Sequence, residues 1–178
     1  MQQVAGIESS GASQGLADAA FADLLLPLIQ PGFRLALAML HDANAAEDAV
    51  QEASLTAWKK LSLMNDRGRL RPWFLGVVAN KCRNARRNRW TSGVTLGVPE
   101  AITTLSTEDQ TLRGADLRRA VARLGHEDRL VVVLYFYLDL PVDEIAAVVN
   151  SSPGATRSRL YRSIRRLRPD LDIQEALR

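Results

Sequence analysis

The sequence predicts an all-α protein: two small helical domains joined by a flexible linker, the second domain ending in a helix-turn-helix. Three observations carry this. Apolar residues recur at three- and four-residue steps along most of the chain. A run rich in Thr, Ser, Gly and Pro interrupts the pattern between Trp90 and Leu112. Near the C-terminus, PVDEIAAVVNSSPGATRSRLYRSIRRLR from Pro141 to Arg168 holds two short helical patterns around a tight turn. The expected division is a mobile leader over 1–17, a first domain over 18–90, a linker over 91–113, a second domain over 114–170 and a tail over 171–178.

Taken in order, Phe21, Leu24, Leu25, Leu28, Phe33, Leu37 and Leu40 have helical spacing interrupted by Pro27 and Pro31, which predicts two helices or one kinked helix. From Ala45 to Leu61 a slim face of Ala46, Ala49, Val50, Ala53, Ala57 and Leu61 suits close helix packing. Asp48, Gln51, Leu55 and Trp58 recur on roughly the opposite side. A Leu and a Trp among polar groups indicate a partner, unless other helices of the domain bury them.

The stretch SLMNDRGRLR from Ser62 to Arg71 reads as a polar basic loop containing Arg67 and Arg69, and Pro72 suits the first turn of the next helix. On that helix Phe74, Leu75, Val78, Cys82 and Ala85 point to a core, while Gly76, Asn80, Arg83, Asn84 and Arg87 make a polar stripe. No acid occurs between Arg67 and Trp90. Asn and Arg in one stripe can bond base edges and phosphates alike, and the loop beside them could receive an unstacked base; a merely solvated stripe is the alternative.

Beyond the linker, Leu117 to Leu124 is a short amphipathic helix. Arg129 to Tyr137 is a strongly apolar run, read as helix rather than strand because a lone strand has nothing to pair with. Ile145, Ala146, Val148 and Val149 share one helical face. Asn150 tolerates the left-handed turn that should end this helix, and Ser151 or Ser152 caps a second one with Pro153 at its first position. In that last helix Leu160, Ile164 and Leu167 lie on one side, Ser158, Tyr161, Arg162 and Arg165 on the other, with Arg157, Arg159 and Arg166 flanking. Such two-sidedness is that of a recognition helix, with Arg forks available for phosphates and guanine edges, although a solvated basic helix would share it.

Composition agrees. The 178 residues are 47% hydrophobic and 24% charged, an ordinary globular balance, and the net charge of +3 conceals basic clusters at Arg67–Arg89 and Arg157–Arg168. The single cysteine, Cys82, forms no disulfide framework and fits a reducing cytoplasm. Neither His41 nor His126 lies in a metal or catalytic motif and no phosphate-binding glycine loop occurs, so no enzyme, metal or cofactor is expected. No signal peptide or membrane insertion is expected either.

Three stretches in this order, NAAEDAVQEASLTAWKKL (Asn44–Leu61), RPWFLGVVANKCRNARR (Arg71–Arg87) and LDLPVDEIAAVVNSSPGATRSRLYRSIRRLR (Leu138–Arg168), make the chain similar to the extracytoplasmic-function (ECF, group 4) RNA polymerase sigma factors. The resemblance implies a non-enzymatic initiation factor whose partners are core RNA polymerase, through its largest-subunit clamp and flap regions, and promoter DNA, both double-stranded and melted. It assigns Asp48, Gln51, Glu52, Leu55 and Trp58 to polymerase docking. Arg67, Arg69, Asn80, Arg83, Asn84 and Arg87 go to the −10 element, and Arg157, Ser158, Arg159, Tyr161, Arg162 and Arg165 to the −35 element. It also implies an anti-sigma factor as partner. A helix-turn-helix regulator that is no polymerase subunit is the alternative.

Overall fold

Leucines spaced along a single face give the first helix its place in the core. In the computed structural model, which describes residues 5–60, 66–91 and 112–167, α1 runs unbroken over Ala5–Leu40. Of the two readings offered for the prolines, a single helix is the one adopted, with Pro27 and Pro31 inside it, and the helix begins at Ala5, within the expected leader. Each proline costs one helical hydrogen bond, which the packing of Leu25, Leu28, Leu35, Leu37 and Leu40 outweighs. The segment Phe21–Leu40 is long and apolar enough to cross a membrane by length and composition alone. Its buried residues are occupied by the helices that follow.

His41 ends α1 in a left-handed conformation, φ 56°. Asp42 then caps α2 (Ala43–Lys60), its Oδ1 accepting the Ala45 N–H at 3.0 Å. The slim face forms as expected: Ala46, Ala49, Val50, Ala53 and Ala57 are all buried. A short 3₁₀ turn, Arg67–Arg69, leads into α3 (Leu70–Thr91). Phe74, Leu75, Val78 and Cys82 of α3 fill the space between α1 and α2 and have no exposed surface. Gly32 of α1 lets the helices close, since a Cβ there would stand 3.0 Å from the Phe74 ring. Truncating Phe74 would cost about 3–5 kcal/mol.

The second unit begins at α4 (Leu112–Arg123), two residues before its expected start. It continues through α5 (His126–Val132), which passes into a π turn over Val133–Tyr137. The β-branched run is therefore helical, as expected, but widened by one residue in its last turn: the Leu138 N–H bonds the Val133 carbonyl at 3.1 Å. Leu130 to Leu134 are buried, and the chain then presents Tyr135 and Phe136 to solvent. Asp139, at φ 51°, turns it into α6 (Val142–Val148).

Asn150 adopts φ 52°, and the Ser151 N–H returns to the Ala146 carbonyl at 2.9 Å, closing α6 with a Schellman turn. Of the two cap candidates Ser152 is the one used, its Oγ accepting the Ala155 N–H at 3.2 Å. Pro153 then opens α7 (Pro153–Leu167), whose Leu160 and Leu167 are buried. Every regular element among the described residues is helical. Residues 92–111, the greater part of the expected linker over 91–113, and residues 168–178, which include the expected tail over 171–178, lie outside the described residues.

Candidate nucleic-acid and partner interfaces

The helix-turn-helix places its arginines as the pattern requires. With Leu160, Ile164 and Leu167 turned to α5 and α6, Arg157, Ser158, Tyr161, Arg162 and Arg165 are exposed, and Tyr161 is 62% exposed. Periodicity did not mark Thr156 and Ser163 as buried, yet both are. Ser163 satisfies its hydroxyl on the Arg159 carbonyl at 2.9 Å, a bond internal to the helix. Arg159 differs from its neighbours: half-exposed, it reaches Glu127 of α5 at 3.9 Å, and Arg166 pairs with Asp128 of the same helix.

On α3 the polar stripe forms with Asn80, Asn84 and Arg87 exposed. Its members are internally bonded: Arg83 Nη1 donates to Asn80 Oδ1, and Arg87 Nη2 to Asn84 Oδ1 at 3.1 Å. In the preceding turn Asp66 orders the backbone by accepting the Gly68 N–H at 2.9 Å, and it lies 3.5 Å from the largely exposed Arg69 guanidinium. The side chain of Arg67 and residues 61–65 lie outside the described residues. Local sequence shows no acid in α3, but the fold brings acids to it: Glu52 of α2 pairs with Lys81 at 2.9 Å, and Glu127 receives Arg83.

The opposite face of α2 is open. Asp48, Gln51, Glu52, Leu55 and Trp58 are all exposed, Leu55 at 61% and Trp58 at 43%. Phe21 of α1 meets the Trp58 ring edge-on at 4.8 Å between centroids. Phe21, Ile29, Val50, Gln51, Ser54, Leu55 and Trp58 line a shallow, nearly wholly apolar groove of about 520 Å³ between α1 and α2. A rim of Asp48 and Glu52 beside an apolar floor fits a helix bearing apolar and basic side chains.

Sequence reasoning did not anticipate the contact between the two units. α3 packs on α6, and Gly76 makes this possible: a Cβ there would stand 3.4 Å from the Val148 carbonyl oxygen. Arg83 forks onto Glu127, Nε to Oε1 at 2.8 Å and Nη2 to Oε2 at 2.9 Å. Arg71 Nη2 donates to the Leu138 carbonyl at 2.9 Å. Arg129 reaches the Met39 carbonyl at the end of α1, the His41 Nε2 at 2.8 Å and the Ala122 and Leu124 carbonyls at the end of α4. One guanidinium thus closes two helix C-termini, where positive charge is favoured.

His41, which ends α1, is half-buried against this arginine. Burial, and then Arg129, bring its pKa down to about 4, and burial does the same for His126, also to about 4. The Arg83 hydrogen bond holds Glu127 below the usual carboxylate range, while burial pushes the Cys82 thiol up to about 12. Cys82 is therefore an inert core residue. No group of His, Cys, Asp and Glu fit to hold a metal occurs among the described residues.

Comparison with known proteins assigns both units. Residues 25–91 match the family Sigma-70 region 2, and residues 115–167 match Sigma-70, region 4. A curated relative, the ECF RNA polymerase sigma factor SigL of Mycobacterium tuberculosis, is 34% identical over 152 residues, covering 80% of this chain and 82% of SigL. The chain belongs to the ECF sigma factors. SigV of Bacillus subtilis, an RNA polymerase sigma factor, is 24% identical, covering 82% of this chain and 87% of its own.

Among solved structures, the sigma factor RpoE in complex with the anti-sigma factor NepR, from Bartonella quintana, superposes with a TM-score of 0.71 at 21% identity, covering 88% of this chain and 99% of that one. CnrH in complex with the cytosolic domain of CnrY gives 0.67 at 23% identity, covering 89% and 91%. At these identities the two show a shared fold. As a sigma factor the protein is an initiation subunit whose partners are core RNA polymerase and promoter DNA. In this sigma factor region 2 comprises the latter part of α1 with α2 and α3, and region 4 comprises α4 to α7.

Proposed function

We propose that this sigma factor grips polymerase through the α1–α2 groove and reads its promoter at two points, the −10 element through α3 and the −35 element through α7. The two-faced α2 supports the first assignment most directly: a buried alanine face holds the domain together while Leu55 and Trp58 remain exposed on the other side. Burying such a pair at an interface is worth several kcal/mol when partner side chains exclude water around it. Asp48, Gln51 and Glu52 form the polar rim, and the flap region of polymerase takes the second domain.

Asn80, Arg83, Asn84 and Arg87, with Arg67 and Arg69 in the turn before them, meet the melted −10 strand. Arg157, Ser158, Arg159, Tyr161, Arg162 and Arg165 enter the major groove at −35, as befits the second helix of a helix-turn-helix. The protein is of the group 4 class, non-catalytic, acts in the cytoplasm, and is held by an anti-sigma factor, as RpoE and CnrH are in their complexes.

Run-off transcription with core RNA polymerase on pooled genomic DNA tests the whole reading. Promoter-dependent transcripts that vanish on combined Leu55→Ala and Trp58→Ala support it, provided circular dichroism shows an unchanged fold. Palindromic operator binding by the free protein without any transcript would favour a conventional regulator.

A further inference from the structure

The arginines of α7 are not all held alike. Arg157, Arg162 and Arg165 are exposed and make no ion pair among the described residues. Arg159 stands 3.9 Å from Glu127, too far for a direct hydrogen bond. Arg166 is tied: its Nη1 donates to Oδ2 of Asp128, in the first turn of α5.

The place of Arg166 on the helix gives this pair its meaning. It follows Arg162 by four residues, so the two belong to one row along the edge of the exposed face. The Asp128 side chain is only 19% exposed and that of Arg166 65%, so the carboxylate is the fixed member and the arginine is the one drawn to it. A pair with one partner this exposed adds little to stability. What it changes is the position of a charge.

We propose that Asp128 is a specificity-determining residue of the −35 contact, which withdraws Arg166 from the DNA-facing row and leaves phosphate and base contact to Arg157, Arg159, Arg162 and Arg165. The proposal rests on the assignment of α7 to the −35 element. On mixed-sequence duplex no base contact fixes the register, so every free cation on α7 finds a phosphate and adds affinity without adding information. On the −35 element the base contacts fix the register, and a further cation gains less. Tying Arg166 back therefore weakens binding to the wrong sequence more than to the right one.

Asp128→Asn keeps the size of the side chain and removes its charge. Binding of the free full-length protein to a labelled mixed-sequence duplex is followed by fluorescence anisotropy from about 50 to 200 mM salt. The slope of log affinity against log salt should steepen by about 0.9, the value of one added phosphate contact. A duplex carrying the −35 sequence mapped by run-off transcription should gain less, so the ratio of the two affinities falls. In an Arg166→Ala background the gain should vanish, and Arg166→Ala by itself should leave the slope unaltered.

An unchanged slope in Asp128→Asn, an equal gain on both duplexes, or the same gain without Arg166 overturns the proposal; in the last case the acid acts only by repelling DNA. A slope shallower by about 0.9 in Arg166→Ala alone also overturns it, because Arg166 would then already lie on a phosphate. That arm decides the matter even if circular dichroism shows Asp128→Asn unfolded. Arg162→Ala separates this from the underlying assignment. If it leaves the affinity for the −35 duplex unchanged, α7 is not the reader and the proposal falls with that reading. If it weakens −35 binding while Asp128→Asn leaves the slope unchanged, the −35 assignment stands and only the role of Asp128 falls.

Discussion

At Arg162 the proposed chemistry of recognition comes down to one side chain. It is exposed on α7, clear of the apolar side that Leu160 and Leu167 bury. A bidentate base contact is worth about 1–3 kcal/mol of discrimination. Arg162→Ala should therefore lose that much on the −35 sequence and far less on mixed-sequence duplex, measured by anisotropy with the polymerase holoenzyme. Asn150 carries a different local demand. Its φ of 52° suits Asn and Gly but not a β-branched residue, so Asn150→Val should destabilise region 4 by about 1–2 kcal/mol in urea unfolding. The exposed position of Arg162 and the left-handed turn at Asn150 were legible in the sequence because they depend on helical periodicity and local backbone preference. The role of Glu127 was not, because its partner Arg83 is 44 residues away along the chain and no periodic pattern links them.

For whole elements the informative comparison is between α2 and α3. Each carries a buried apolar face, and each carries a second face that its own domain does not cover. On α2 the second face is apolar, so the combined Leu55→Ala and Trp58→Ala change should abolish binding to core polymerase in a pull-down while leaving the thermal transition nearly unshifted, since both side chains are exposed already. On α3 the second face is polar, and region 4 covers part of it. The sequence placed Gly76 in that polar stripe, yet it lies against the backbone of the other domain, a Cβ there standing 3.4 Å from the Val148 carbonyl oxygen. A small residue in a stripe reads as neutral until a neighbouring backbone is seen against it. The π turn at Val133–Tyr137 has the same character: an apolar β-branched run indicates a buried helix, but the extra residue in the turn, and with it the exposure of Tyr135 and Phe136, follows from how α5 must enter α6.

For the molecule as a whole, the contact between the two domains adds a dependence on pH. His41 lies against Arg129 of the other domain, and His126 is surrounded by Glu127, Arg83, Arg86 and Arg129. Both histidines have pKa values lowered from 6.5 to about 4, so the folded form binds fewer protons than an unfolded chain whose histidines titrate normally. Their contribution is complete above pH 6.5 and is lost as the pH falls towards about 4. The urea midpoint should be flat above pH 6.5 and fall below it, and combined His41→Asn and His126→Asn should flatten the decline.

By itself the sequence determined the helices, the helix-turn-helix, the two-sided α2 and the family, because each is written in residue spacing that local geometry turns directly into faces. Tertiary structure alone decided that α1 runs through both prolines, that His41 is half-buried beside Arg129, and that Arg83 meets Glu127 instead of solvent. Those outcomes depend on which faces find each other across the chain. Burial and charge pairing settle that choice only after the elements have formed.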